Sequence, residues 1–183
     1  GHPPAQALEK INTALLRKDH SLMFVTMLIG VYDANDGRFT WASAGHPPPM
    51  LGPAPDSLPE VDGPAQSVIL PWSEELVLGV APNRRYTTFS AGLEPGRALL
   101  LYTDGAEDAQ DAREETKAAL FGEERLARSL GEACADTPRE AGAESGTASI
   151  VRRIAEDLDA HMAGAPPHDD ISLLVLRRDA ACP

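Results

Sequence analysis

No stretch of this chain approaches the roughly 20 consecutive apolar residues that a membrane-spanning helix needs, so a helical membrane protein is excluded as a reading. No secretory signal pattern is visible. Cysteine is scarce: there are two in 183 residues, Cys134 and Cys182. Two distant thiols give neither a disulfide framework nor a zinc site, and they fit a reducing cytoplasm. Basic charge is short as well, with Lys+Arg 16 against Asp+Glu 28 and a formal net charge of -12. No basic stripe is available to meet phosphates, which argues against a nucleic-acid partner. Several catalytic signatures are also missing. There is no HxxxH pair, no CxxC, no Gly-rich phosphate loop and no GxSxG elbow.

What is present describes a soluble folded chain, 43% hydrophobic and 24% charged. The length suits a single domain, residues 1–183, able to bury roughly 70% of its unfolded surface. Pro4 suits a first helical turn, and Leu8, Ile11 and Leu15 then fall on one helical face. Phe24–Tyr32 reads as a strand, residues 33–37 as a turn with Gly37 free to take positive φ, and Arg38–Ala44 as the returning strand of a hairpin. Gly45-His46-Pro47-Pro48-Pro49 is a rigid turn, since no central strand tolerates such a proline run. Met50-Leu51 opens a short strand, and the Pro- and Asp-rich residues 52–63 form a surface loop. Val68–Leu70 and Leu76–Val80 are short apolar runs, and Tyr86–Leu93 alternates as a strand.

The organising stretch is Arg97–Gly105, RALLLYTDG. Ala98–Tyr102 carries no polar interruption and predicts a strand buried on both faces. It ends in Thr103-Asp104-Gly105, where Asp104 is costly to bury without a partner and Gly105 lets the backbone approach a ligand. A second reading makes Asp104 a helix cap for the segment from Glu107. Glu107–Leu120 is a helix or a mobile acidic segment, Glu123–Cys134 a short amphipathic helix, residues 136–145 a loop, and Thr147–Met162 a helix with apolar residues at regular spacing. His168-Asp169-Asp170 leads into a second apolar strand, Ile171–Leu176. His2, His20 and His161 have no motif context and read as surface residues. Helix, strands, helices and strand in that order, with hairpins, predict an α+β fold of antiparallel sheet with helices on its outer faces.

Asp104 follows one apolar strand and Asp169 precedes another. If those strands lie antiparallel and adjacent, both carboxylates reach one edge of the sheet. At about 4 Å, two like charges repel by roughly 4 kcal/mol at an effective dielectric of 20. A divalent cation removes that penalty, and oxygen-only ligands favour Mg²⁺ or Mn²⁺ over zinc. Such a centre suits metal-assisted attack at the central atom of an oxyanion such as a phosphoryl group, with a metal-acidified water as nucleophile and no side-chain nucleophile needed.

The blocks FVTMLIGVYDANDGRFTWASAGHPPPML, LGV, LLLYTDGAEDA, FGEERL and HDDISLLVLR, in this order and spacing, resemble the SpoIIE-like, RsbU-like branch of the metal-dependent protein phosphatases, the protein phosphatase 2C superfamily. The resemblance runs from about Pro4 to Arg178. It implies an antiparallel β-sandwich flanked by helices, with two or more Mn²⁺ or Mg²⁺ ions at its edge. It assigns metal binding to Asp104 and Asp169, and places Gly105, Asp170, Gly45 and His46 near the site. His46 also reads simply as a solvent-exposed turn residue. The implied substrates are phosphoserine or phosphothreonine proteins, of the anti-sigma-factor-antagonist type, in a bacterial stress or developmental switch. One departure matters. The family's leading glycine-aspartate block, and its Asp followed by a Gly-His-Gly run, are absent from these 183 residues. They supply the aspartate that bridges two metals. The chain therefore reads as N-terminally truncated, the later part of a phosphatase domain, either a piece of a longer regulator or naturally reduced. Weak or absent turnover by this chain alone is expected. So is self-association through an uncovered sheet edge. The competing reading is a non-catalytic interaction module that keeps the fold.

Overall fold

The structure, a computed structural model, describes residues 2–17, 24–53, 67–113, 119–137 and 146–178. The expected surface loop falls mostly on residues outside this set, as do His20, Cys182 and much of the 136–145 loop. The chain forms two compact units, residues 1–48 with 70–92, and residues 49–69 with 93–183.

In the first unit, helix α1 (Pro4–Leu16) starts on a proline at its first turn, where a missing N–H costs nothing. It lays Ala5 and Leu8 on Ala42 and Ala44, with Leu78 and Tyr86 completing the cluster. Asn12, also buried, is satisfied at both ends of its amide. Its Nδ2 donates to the Ala81 carbonyl at 3.0 Å and its Oδ1 accepts from the Gly79 amide at 2.8 Å. That pairing ties the 79–81 turn to the helix.

The hairpin is present as expected, formed by β1 (Met27–Asp33) and β2 (Arg38–Ala44) in antiparallel register from Met27 opposite Ala44 to Asp33 opposite Arg38. Its turn uses Gly37 at φ 71°. The first strand starts later than predicted. Val25 makes only a single bridge, to Leu78, and Phe24 is exposed. The third strand, β5 (Phe89–Gly92), is shorter than the alternating run suggested and pairs antiparallel with β2. Alternation along β2 sends Ala42 and Ala44 toward α1. Phe39 and Trp41 go to the other face, where Trp41 stacks between Phe39 at 5.3 Å and Phe89 at 5.8 Å.

In the second unit, a four-stranded antiparallel sheet runs β4 (Val68–Ile69), β3 (Met50–Leu51), β6 (Ala98–Tyr102), β7 (Leu173–Arg177). Strand β6 is central, and Ala98, Leu99, Leu100 and Tyr102 are buried, as its uninterrupted apolar sequence required. Helices α2 (Gly122–Asp136) and α3 (Gly146–Met162) supply Leu126, Leu130, Ala133, Ile150, Ile154, Leu158 and Met162 to one core with Met50, Leu100 and Tyr102. Each fully buried leucine or isoleucine contributes about 1.5–3 kcal/mol. Outside that core, Arg153 on α3 spans to Glu132 and Asp136 on α2, both at 3.1 Å, and to Asp157 at 3.2 Å.

The helix expected from Glu107 is not seen in residues 107–113, and Gln110 pairs with Leu120 through an isolated antiparallel bridge; the middle of the 107–120 segment lies outside the described residues. The Asp111 amide donates to the Ala119 carbonyl at 2.9 Å, and the Phe121 amide to that of Ala109 at 2.8 Å. His161 is corrected too. Its Nε2 lies 2.7 Å from the Ala119 carbonyl oxygen and its ring meets Phe121 edge-on at 5.2 Å, so it holds Ala119 and Phe121 against α3.

Candidate metal site at the end of strands β6 and β7

The ladder between β6 and β7 ends at Tyr102 opposite Leu173. Beyond it the backbones stay together by a different device. The Thr103 amide donates to the Ser172 carbonyl at 3.1 Å. The Thr103 hydroxyl accepts from the Ser172 amide at 2.9 Å and donates to the Asp170 carbonyl at 2.9 Å. One side chain thus takes the place of the next ladder rung. This explains why the second strand begins at Leu173, two residues later than its apolar sequence suggested.

Asp104-Gly105-Ala106 then forms one 3-10 turn. Gly105 is buried against the other loop: a Cβ placed on it would sit 2.7 Å from the Asp170 carbonyl oxygen and 3.1 Å from that of Asp169. Only a residue without a side chain allows this approach. The Thr-Asp-Gly and His-Asp-Asp segments therefore abut at one end of the four-stranded sheet. Asp104 Oδ1 accepts from the Gly105 amide at 3.1 Å, and Asp169 Oδ1 from the Asp170 amide at 2.7 Å. Among the described residues neither carboxylate is in an ion pair with a lysine or arginine.

Two expectations about Asp104 change. The residue is exposed, so its position carries no burial cost to be relieved. Nor does it cap a helix from Glu107, because residues 107–113 are not helical. Gly45 and His46 belong to the first unit. Gly45 takes φ +69°, and a Cβ on it would meet Val77 Cγ1 at 2.4 Å. The His46 amide donates to Ser43 Oγ at 3.1 Å, its carbonyl accepts from that hydroxyl at 2.8 Å, and its Nδ1 lies 3.1 Å from the Pro47 carbonyl oxygen. The histidine is bound into its own turn.

Several residues around the acidic pair went unread in the sequence. The Tyr102 hydroxyl, buried, donates to Glu107 Oε1. Burial first, and then the hydrogen bond to Glu107, pushes the Tyr102 phenol far above its ordinary range. Burial also raises the Glu107 carboxyl; the Tyr102 hydrogen bond opposes this, and Glu123, Asp108 and Asp104 add to the rise. His168 Nε2 lies 2.7 Å from Gln110 Oε1, joining the loop before Asp169 to the turn after Asp104. The only advance signal for these was proximity in sequence to the two acidic blocks.

Does this arrangement suit a metal ion? A hard cation such as Mg²⁺ is commonly held by one or two carboxylates and several waters, and Asp104 and Asp169 are exposed carboxylates on abutting loops. A centre of two ions asks for more. Among the described residues there is no group of three or more His, Cys, Asp or Glu placed to hold a metal.

The family model for Stage II sporulation protein E (SpoIIE) matches residues 1–179. Protein IcfG of Synechocystis sp. is 27% identical over 157 residues, covering 86% of this chain and 21% of that protein. Phosphoserine phosphatase RsbU of Bacillus subtilis is 27% identical over 178 residues, covering 97% of this chain and 46% of that protein. Among solved structures, the SiaA-PP2C domain of Pseudomonas aeruginosa superposes with a TM-score of 0.72 at 18% identity, covering 97% of this chain and 61% of that one. The chain thus spans less than half the length of these two curated relatives. The structural likeness agrees with the α+β phosphatase-like fold expected from the sequence.

Proposed function

Since this chain belongs to the SpoIIE family, we propose that it is the metal-binding part of a protein serine/threonine phosphatase domain that acts on a phosphoprotein regulator. The observation that carries this reading is the meeting of the Asp104 and Asp169 segments at one end of the four-stranded sheet. Asp104 and Asp169 hold a single Mn²⁺ or Mg²⁺ ion. Each carboxylate has one oxygen fixed by the amide of the next residue, which sets the plane of the group. The chemistry such an ion would supply there is acidification of a water and neutralisation of charge on phosphoryl oxygens. Gly105 keeps the two loops in contact, and Asp170 contributes a backbone amide and carbonyl. The substrates are phosphoserine or phosphothreonine proteins of the anti-sigma-factor-antagonist type, as the sequence resemblance implies; the name of the relative RsbU, phosphoserine phosphatase, supports the phosphoserine part of this reading.

Within these 183 residues the bridging aspartate of the family is absent, so turnover by this chain alone is low. The test is Mn²⁺-dependent phosphate release from a phosphoserine protein. The expected result is slow release that Asp104→Asn abolishes. Equal release by the variant contradicts the site, and robust release by the wild-type chain contradicts the low-turnover reading. The second reading, a non-catalytic interaction module, draws on the lack of a three-residue acidic group among the described residues. It predicts partner binding with no phosphate release at any metal concentration.

Location in the cytoplasm rests on the two dispersed cysteines; no helix among the described residues is long and apolar enough to cross a membrane. Self-association through β1 belongs to the same proposal. That strand lies at an edge of its three-stranded sheet, carries no lysine or proline, and leaves Val31 54% exposed. Sedimentation should show a concentration-dependent dimer that Val31→Lys suppresses; a monomer at high concentration would count against it.

A further inference from the structure

Two loops that must hold carboxylates in register have no regular strand pairing between them, so something other than the ladder fixes their spacing. We infer that Thr103 is a positioning residue whose hydroxyl locks the Asp104 loop to the Asp169 loop. The inference rests on the metal-site reading for its purpose, though not for its geometry.

Four contacts join the two loops. The hydroxyl accepts from the Ser172 amide and donates to the Asp170 carbonyl, both at 2.9 Å, so its single proton and a lone pair are both committed to the opposite loop. The Thr103 amide adds a third bond to the same loop, at 3.1 Å to the Ser172 carbonyl. Gly105 supplies the fourth contact, with Asp169 and Asp170 carbonyl oxygens against its α-carbon. Thr103 precedes Asp104 by one residue, and its two hydroxyl partners lie one and three residues after Asp169. Any change in the hydroxyl bonds therefore moves one carboxylate relative to the other.

Ser172 and Asp170 are exposed. Water can satisfy their amide and carbonyl once the hydroxyl is gone, so the fold survives its removal. What water cannot do is hold a fixed distance between two chains. The hydroxyl is thus worth more to the geometry of the acidic pair than to global stability. Valine keeps the β-branched shape and loses both bonds, whereas serine keeps both bonds.

The test is amide hydrogen exchange on the full chain without metal, for wild type, Thr103→Val and Thr103→Ser, with Mn²⁺ titration of each and of Asp104→Asn. In Thr103→Val, exchange should quicken at least tenfold at Ser172 and also at Gly105 and Asp170, whose amides bond the two carboxylates. The β6 amides at Leu99–Leu101 should stay as protected as in wild type. Mn²⁺ affinity should fall about tenfold, and Thr103→Ser should restore both readouts. Faster exchange confined to Ser172, or none, overturns the inference, as does unchanged Mn²⁺ affinity in Thr103→Val when Asp104→Asn weakens it. If Asp104→Asn leaves Mn²⁺ affinity unchanged, or the wild-type chain binds no Mn²⁺, the metal reading falls. The exchange at Gly105 and Asp170 then still decides whether the lock exists.

Discussion

Two pairs of neighbouring antiparallel strands in this molecule end in acidic residues, and the residues are used differently. At the β1–β2 hairpin, Asp33 Oδ1 accepts from both the amide and the side chain of Asn35 at 2.9 Å, and Asp36 accepts from the Arg38 amide and guanidinium. Those carboxylates are committed to shaping one short turn and to a neighbouring cation. At the β6–β7 end, Asp104 and Asp169 come from loops 65 positions apart, and each receives an amide from the next residue while no lysine or arginine pairs with it among the described residues. An Asp in a turn is ordinary. Two of them on abutting loops, held together by a threonine hydroxyl and a bare glycine α-carbon, leave negative charge with no lysine or arginine paired to it among the described residues, as a cation site asks.

The glycines give the largest expected break in this comparison. Gly45→Ala must pay for positive φ and for a Cβ 2.4 Å from Val77, and should cost about 2–3 kcal/mol in denaturant unfolding while leaving Mn²⁺ affinity unchanged. Gly105→Ala has backbone oxygens at 2.7 and 3.1 Å from its Cβ and should cost about 1–3 kcal/mol, but with Mn²⁺ binding weakened at least tenfold. Equal Mn²⁺ affinity in the two variants would erase the difference between the regions.

The acids themselves should separate next. Asp33→Asn should cost about 0.5–1 kcal/mol through the hairpin turn. Asp104→Asn should change stability by no more than about 0.5 kcal/mol, because its side chain is exposed and unpaired with a cation among the described residues. Thermal unfolding of both variants, without metal, checks the contrast.

The smallest effect concerns pH. The Glu107 carboxyl is raised in the folded state from its ordinary value of 4.5, chiefly by burial, so folding favours its protonated form. That contribution to stability is fully present below about pH 4.5 and is lost as pH rises through the raised folded value. Wild type should therefore lose stability relative to Glu107→Gln over that window. A flat difference between the two would show that Glu107 does not feel its burial.

The sequence made the strands of this site readable because apolar runs and turn residues carry local signals. Ala98–Tyr102 could only be a buried strand, the Gly37 turn could only join a hairpin, and the regular spacing of Ile150, Ile154 and Leu158 could only be a helix. The two acidic blocks stood out by their positions at strand ends. What stayed hidden depends on partners distant in sequence. Nothing local shows that the Thr103 hydroxyl reaches Asp170 and Ser172, that His161 meets the Ala119 carbonyl, or that Gln110 pairs with Leu120. Alanine-rich acidic sequence favours helix by propensity, and over residues 107–113 the backbone bonds of Asp111 to Ala119 and of Phe121 to Ala109 go with a non-helical path.

The most direct test of a shared cation is a double-mutant cycle on Mn²⁺ binding, measured by calorimetry on the wild-type chain, Asp104→Asn, Asp169→Asn and the double variant. If both carboxylates hold one ion, each single variant loses at least tenfold in affinity and the double variant is no worse than the weaker single one. Losses that simply add, or a wild-type chain that takes up no Mn²⁺, would contradict the shared site.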